Sequence, residues 1–242
     1  MVSLASVIVI GAEGRMGKLI CAAVEEAEGL ELAGRYDVAN ADELDSMAPA
    51  ADLAIDFSRP ASLPHTAAYV RRTHAALVSG TTGFTEEDME ALAALGEAAP
   101  VVHSSNYSLG VAVLKRLAAQ AAEALAGYDI EIVETHHNQK ADAPSGTAKL
   151  LLAAVDPEGA CEVVDGRSGI TGVRPKNQIG MHALRGGTVA GTHEVHFFGT
   201  DEEVVLTHRA ASRQIFVAGA IAAAKRLLGR EPGLYTFDDL MF

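Results

Sequence analysis

Val7-Ile8-Val9-Ile10-Gly11-Ala12-Glu13-Gly14-Arg15-Met16-Gly17 decides the fold class. Consecutive β-branched residues suit a strand buried on both faces, as in a parallel sheet. Glycines then recur at every third position, and Lys18 to Ala27 carries helical periodicity. Strand, glycine turn and helix in that order are the setting of a dinucleotide fingerprint. Gly11 permits the tight turn, Gly14 lets backbone approach a pyrophosphate, and Gly17 allows close packing of helix on strand. The spacing is GxxGxxG rather than GxGxxG, so the turn alone also fits a glycine loop without a ligand. The elements that follow decide between the two.

Leu30 to Tyr36 reads as a second strand ending at Asp37, 20 residues after Gly17. An acid at that place accepts hydrogen bonds from the adenosine ribose hydroxyls; the alternative is an ordinary strand-end aspartate. Val38 stands where an arginine would favour a 2′-phosphate, with Arg35 and Arg15 as the nearby substitutes. The choice of cofactor is therefore NADH or NADPH, leaning to NADH or dual use. Asp52 to Phe57, Ala75 to Ser79 and Val101 to Ser104 continue the pattern. Each ends in a small polar turn: Ser58-Arg59-Pro60, Gly80-Thr81-Thr82-Gly83 and Ser105-Asn106-Tyr107. Helices are expected from Pro60 to about Arg72 and from Thr85 to about Glu97. In an open α/β sheet such turns gather at the carboxyl edge, where ligands bind.

The 242 residues suffice for one large domain or two small ones. Apolar content of 49% and charged content of 21% are those of a soluble globular protein. A net charge of −13 argues against nucleic acid or an anionic membrane surface as partner. Cys21 and Cys161 are isolated, which argues against a disulfide framework and makes the cytoplasm the default compartment. No apolar run is long enough to span a bilayer, and no cleavable leader is evident.

Leu109 to Leu125 reads as a long amphipathic helix leaving the nucleotide half, and Tyr128 to Thr135 as a strand. The strand runs into Glu134-Thr-His136-His137-Asn-Gln-Lys140-Ala-Asp142-Ala-Pro144-Ser145-Gly146-Thr147, after which a helix extends to Val155. Histidines and a lysine beside a Ser-Gly-Thr turn at a helix N-terminus combine proton-handling groups with an anion cradle. A polar loop with a capped helix is the plainer alternative, but the density of donors and titratable groups favours a site for a small acidic substrate. From Cys161 the pattern turns to β, with strands at Gly180–Leu184, Thr188–Phe198 and Glu203–His208 in an antiparallel or mixed sheet. His193 and His196 face opposite sides of a regular strand and cannot share a metal. They are read as structural, and no zinc site is expected. A final helix opens near Ala211 to Phe216 and runs through Leu228; its docking place cannot be read from its pattern.

Taken together, Gly11 to Gly17, Gly80 to Gly83, Glu134 to Ala148 and His208-Arg-Ala-Ala-Ser-Arg213 resemble the 4-hydroxy-tetrahydrodipicolinate reductase (dihydrodipicolinate reductase) family of lysine biosynthesis, in order over essentially the whole chain. H-H-x-x-K-x-D-A-P-S-G-T-A is far more specific than the glycine turn. The resemblance implies an N-terminal Rossmann domain and a C-terminal mixed α/β domain with an open sheet, joined by two hinges. It implies domains of 1–107 plus 213–242 and of 108–212, and a homotetramer built through the C-terminal sheets. NADH or NADPH would lie on Gly11, Ala12, Glu13, Gly14, Arg15, Met16, Asp37, Gly80, Thr81, Thr82, Ser104, Ser105, Asn106 and Tyr107. The dicarboxylate would be held by His137, Gly146 and Thr147 with Ser145 close by, and His136 and Lys140 would supply protons. Glu13 departs from the expected pattern by placing an acid in the pyrophosphate loop, which is tolerable only if its side chain points outward. The competing readings are a nicotinamide-sensing regulator without turnover and another amino-acid-pathway reductase. The first has no use for His136 and Lys140, and a semialdehyde enzyme wants a nucleophilic cysteine at a strand-end turn.

Overall fold

The computed structural model describes residues 4–242. In chain order the first elements are β1 (Ala5–Ile10), α1 (Arg15–Glu26), β2 (Leu30–Tyr36), α2 (Glu43–Ser46), β3 (Leu53–Asp56), α3 (Leu63–Thr73), β4 (Ala76–Ser79), α4 (Glu86–Leu95) and β5 (Pro100–His103). Then come α5 (Leu109–Ala124), β6 (Asp129–His136), α6 (Gly146–Val155), β7 (Glu162–Val164), β8 (Gln178–Arg185), β9 (Thr192–Phe198) and β10 (Glu203–Arg209). The chain closes with α7 (Gln214–Leu227), β11 (Gly233–Tyr235) and α8 (Phe237–Met241). It divides into two compact units: residues up to Ser108 together with Gln214–Phe242, and Leu109–Arg213.

In the first unit the strands form a parallel sheet in the order β11-β5-β4-β3-β1-β2. Every residue of β3 and β4 is buried: apolar residues 53–55 and 76–78 lie between two helical layers, and polar Asp56 and Ser79 close the strands. Ile8, Ile10, Leu77 and Val101 of the sheet pack with Tyr69 and Val70 of α3 and Leu92 and Leu95 of α4. Because all strands run the same way, the turns after Ile10, Tyr36, Asp56, Ser79 and His103 meet at one edge. The order reverses at β1, whose neighbours are β2 and β3, and such a switch point is where open α/β sheets bind ligands.

The last helix begins at Gln214, three residues after the expected opening at Ala211. Its small buried residues Gly219, Ala220, Ala223 and Ala224 let it lie close to its neighbours. A Cβ on Gly219 would stand 1.6 Å from the carbonyl oxygen of Tyr107. The tail adds an unanticipated strand, β11, beside β5, and a short helix, α8, closed by a Thr236–Asp239 capping box. Both had been masked by their length: three and five residues give no periodicity to read.

In the second unit a mixed sheet runs β10-β9-β6-β8-β7. Central β6 pairs parallel with β8 and antiparallel with β9. Ile132, Met181, Val195 and Phe197 on one face pack with Leu114 and Ala118 of α5 and Leu151 of α6. The strand expected from Thr188 starts at Thr192, because Gly187 and Gly191 turn the chain with φ of 51° and 155°.

Gly219→Ala should lower the unfolding free energy by about 1–3 kcal/mol, the usual cost of overpacking a tight contact, since its new methyl meets backbone that cannot rotate away. Urea unfolding of the two proteins checks this; equal midpoints would mean that α7 does not approach Tyr107 this closely.

Candidate active site

At the sheet edge of the first unit, Ile10, Gly11, Glu13, Gly14, Asp37, Val38, Phe57, Ser58 and Arg59 line a cleft of about 320 Å³. Gly11 takes φ of 79°, and its amide and that of Ala12 donate to the Tyr36 carbonyl at 2.8 and 3.0 Å. A Cβ on Gly11 would lie 2.7 Å from Phe57 O, and one on Gly17 2.0 Å from Gly11 O, so the turn and α1 close only around glycine. Gly14 is the exposed N-cap of α1, leaving backbone N–H groups directed at the cleft. Met16 is half-buried on α1 and Arg15 exposed. Asp37 accepts from Glu13 N at 2.9 Å and Val38 N at 2.8 Å, which fixes its carboxylate at the cleft wall. The Glu13 side chain is 70% exposed and pairs with Lys18 at 3.2 Å, so it points outward as the loop requires. Arg35 is engaged by Glu25 at 2.6 Å.

Asp56, at the end of β3, was not singled out in the sequence. It is 2% exposed and accepts from Ser58 Oγ at 2.5 Å, Thr66 Oγ1 at 2.7 Å and Thr81 Oγ1 at 3.1 Å, with Ser58 N at 3.0 Å. Hydroxyls and an amide thus satisfy a buried carboxylate and tie the turns after β3 and β4 together. Gly80 lies under the Phe57 ring, and Thr82 and Ser105 are exposed. Ser104 and Asn106 knit their own turn, Ser104 Oγ donating to Asn106 O at 2.7 Å. Tyr107, which the resemblance places among the cofactor residues, does not turn its side chain to the cleft. Its ring is fully buried between Phe57 and Phe237, and its hydroxyl donates to Ser79 O at 2.8 Å. Its aromatic side chain therefore supports the turn from below.

In the second unit His136, Ser145 and Arg185 come together around the Glu134 carboxylate, with Lys140 on the adjoining loop. Glu134 is fully buried and accepts from His136 Nδ1 at 2.6 Å, from Ser145 N at 3.0 Å, and from both terminal nitrogens of Arg185 at 2.8 Å. Arg185 also donates to Asp142 O at 2.7 Å, which draws the 137–145 loop over the strand ends. Lys140 pairs with Asp142 at 2.8 Å. His137 N donates to Val189 O at 2.8 Å. Ser145 caps α6, its Oγ accepting from Ala148 N at 3.2 Å. Gly146 is exposed, and a Cβ there would meet nothing within 4 Å, so the N-terminus of α6 is open to a ligand. Thr147 follows, half-buried.

Burial opposes the charge on Glu134, but Arg185, His136 and the Ser145 amide together hold its carboxyl below the usual range. Burial lowers the pKa of His136, and Lys140 and Arg185 add to this against the pull of Glu134. With Nδ1 facing Glu134, Nε2 is the nitrogen left to exchange a proton.

The sequence reading gave no role to Arg185 and made His193 structural. The structure puts both at the cluster. Across the strands Glu134 is paired with His193, and His193 with His208; His136 is paired with Arg185. His193 Nε2 lies 3.2 Å from Ser145 Oγ, and its ring packs edge-on against His136 at 5.2 Å. Burial and the neighbouring charge of His136 push its pKa down to about 4. Residues facing one side of neighbouring strands become legible only once register is known.

Residues 5–107 match the family model for the N-terminus of dihydrodipicolinate reductase, and residues 110–241 that for its C-terminus. The 4-hydroxy-tetrahydrodipicolinate reductase of Akkermansia muciniphila is 43% identical over 241 residues, 98% of this chain and 97% of that one. That of Caldanaerobacter subterraneus is 39% identical over 244 residues, 97% of each. Among solved structures, a dipicolinate-bound dihydrodipicolinate reductase from Paenisporosarcina sp. TG-14 shares the fold with a TM-score of 0.78 at 20% identity, covering 99% of this chain and 100% of that one. GenD2 from gentamicin A biosynthesis, in complex with NAD, does so at 0.59 and 15%, covering 99% and 91%.

His193 sets an acid limit on stability. Its folded pKa of about 4 lies below the ordinary 6.5, so between those values the unfolded chain binds the extra proton. Stability from this group is whole above pH 6.5 and declines as pH falls toward 4. Urea unfolding at pH 7.5 and 5 should show a larger loss in the wild type than in His193→Gln; equal losses would mean that His193 titrates normally.

Proposed function

The chain belongs to the dihydrodipicolinate reductase family, and on that premise we propose that it reduces 4-hydroxy-tetrahydrodipicolinate to tetrahydrodipicolinate in the diaminopimelate route to lysine, with His136 and Lys140 as its proton-handling residues. The observation that carries this reading is the buried Glu134–His136 pair beside Lys140 at the open N-terminus of α6. The net reaction consumes one hydride and one proton and releases water. A bound dihydronicotinamide supplies the hydride; the rest falls to the protein.

Two carboxylates arriving at Gly146 and Thr147 meet the positive end of α6, with the Ser145 hydroxyl and His137 beside them. Lys140 adds a fixed positive charge and is the second proton donor. His136 exchanges its proton at Nε2 while Nδ1 stays on Glu134. That carboxylate keeps one tautomer in place and stabilises the imidazolium when it forms. The substrate's own negative charge favours the protonated ring and counteracts the depression from burial.

The glycine-loop cleft fits a pyridine dinucleotide. Cβ-free turns bring backbone to the switch point, and α1 presents free N–H groups for a pyrophosphate. Asp37 would hold the adenosine ribose, with Ala12, Arg15, Met16, Gly80 to Thr82 and Ser104 to Asn106 around the remainder. NADH, or both cofactors, suits an Asp37 carboxylate followed by a 61%-exposed Val38, with Arg35 engaged elsewhere. A homotetramer through the sheet of the second unit accords with the apolar residues Leu184, Phe198 and Val205, exposed on its strands. Among the described residues no helix is long and apolar enough to cross a membrane.

With substrate generated in situ from pyruvate and aspartate semialdehyde by the preceding synthase, oxidation of NADH and NADPH tests the reaction. The kcat/KM ratio should favour NADH or lie near unity, and a strong NADPH preference would assign the 2′-phosphate to Arg35 or Arg15. His136→Ala and Lys140→Ala should each lower kcat by about 10²–10⁴ while NADH still binds; near-normal turnover in either removes that residue from the chemistry. Asp37→Ala should weaken NADH about ten-fold and leave dicarboxylate affinity unchanged. An unchanged NADH Kd would take Asp37 off the ribose.

A further inference from the structure

Ser145 Oγ has an unusual set of neighbours. It accepts from Ala148 N at 3.2 Å as the cap of α6, and His193 Nε2 lies 3.2 Å away. His193 is 4% exposed, and its other nitrogen, Nδ1, is buried with no hydrogen-bond partner among the described residues. Two arrangements are open to this pair. If Ser145 donates to Nε2, the ring proton must sit on Nδ1, a buried N–H with nothing to receive it. Such orphan donors are among the rarest features of folded proteins, and unfilled acceptors are better tolerated. If instead the proton sits on Nε2, His193 donates to Ser145, and Nδ1 keeps only an unused lone pair.

We propose that His193 is a positioning residue that locks Ser145 as a hydrogen-bond donor toward the substrate's carboxylate. A hydroxyl oxygen has two lone pairs. With Ala148 N–H on one and His193 Nε2–H on the other, the Ser145 proton can be directed only away from both, to an acceptor brought in by a ligand. An anion at the end of α6 is such an acceptor, and a neutral dipole that cannot also act as acceptor discriminates in favour of carboxylate. The inference rests on the reading of Ser145, Gly146 and Thr147 as the carboxylate cradle. His193 is held for this role from behind, its ring against His136 at 5.2 Å and His208 at 6.5 Å on the adjoining strand. Its neutrality matters as well, because a histidine that charged near neutral pH would repel Lys140 and the His136 imidazolium.

The test is a double-mutant cycle on the full-length enzyme, read by calorimetric titration with dipicolinate, the aromatic dicarboxylate bound in the Paenisporosarcina enzyme. Ser145→Ala should weaken dipicolinate by about ten-fold or more, the size of a lost hydrogen bond to a charged group. His193→Phe, which keeps the ring and removes the donor, should weaken it by a similar factor. Since His193 acts through Ser145, the double variant should bind no worse than Ser145→Ala alone. His193→Gln, whose amide can donate to Oγ, should recover most of the affinity. In turnover the losses should fall on KM more than on kcat. Nitrogen-15 NMR of the wild type, which requires no variant to fold, should show His193 protonated on Nε2. Additive losses in the cycle, or a proton on Nδ1, would overturn the inference while leaving the cradle intact. Wild-type enzyme without affinity for dipicolinate would overturn the cradle itself, and the inference with it.

Discussion

A fully buried carboxylate, Glu134, is the interaction on which the second unit depends. An isolated charge there would cost several kcal/mol in lost hydration. It is tolerated because Arg185 grips both of its oxygens while His136 and the Ser145 amide add further hydrogen bonds. Each partner carries something else into place. Arg185 draws the 137–145 loop down through the Asp142 carbonyl, His136 is fixed in ring orientation, and Ser145 starts α6. One strand residue therefore positions the His136 ring and the N-terminus of α6 relative to each other. Satisfying the buried charge and arranging these groups are the same act.

The first unit reaches a related solution without a cation. Asp56 closes β3 as Glu134 sits near the end of β6, but its partners are the hydroxyls of Ser58, Thr66 and Thr81. Short hydroxyl partners suit a place where bonds must bridge the Ser58 turn, the 80–83 turn and α3. In both units a strand-end acid ties neighbouring turns together.

The alternation of strands and helices in the first unit and the turn to β after Cys161 were legible because they rest on periodicity and punctuation: apolar runs ended by small polar turns. The glycine loop and the Lys140–Thr147 stretch stood out in the sequence because each is contiguous. Arg185 and His193 were not. They reach Glu134 from 51 and 59 residues away, across β8 and β9, and nothing local marks them. The spacing rule that His193 and His196 face opposite sides was right about the strand and says nothing of which residue lies across from it. The burial of the Tyr107 side chain was not legible either, because α7 and Phe237, which cover it, arrive from the far end of the chain. The tail was unreadable because its strand and helix are too short to show a period.

The net charge of −13 sharpens the physical task of such a site, since a dicarboxylate approaches a protein of its own sign. At physiological ionic strength the Debye length is about 8 Å, so distant surface acids are largely screened and only groups within that range decide binding. On the proposed reading those groups are Lys140, the positive end of α6 and the hydroxyl of Ser145. Arg185 is near but its guanidinium grips the Glu134 carboxylate, and Lys140 itself shares the loop with Asp142, its partner at 2.8 Å. Recognition is consequently short-ranged: it rests on hydrogen bonds with fixed direction more than on bulk attraction. On the proposed reading, the orientation of individual donors, a single serine proton among them, would therefore weigh on affinity in an otherwise acidic molecule.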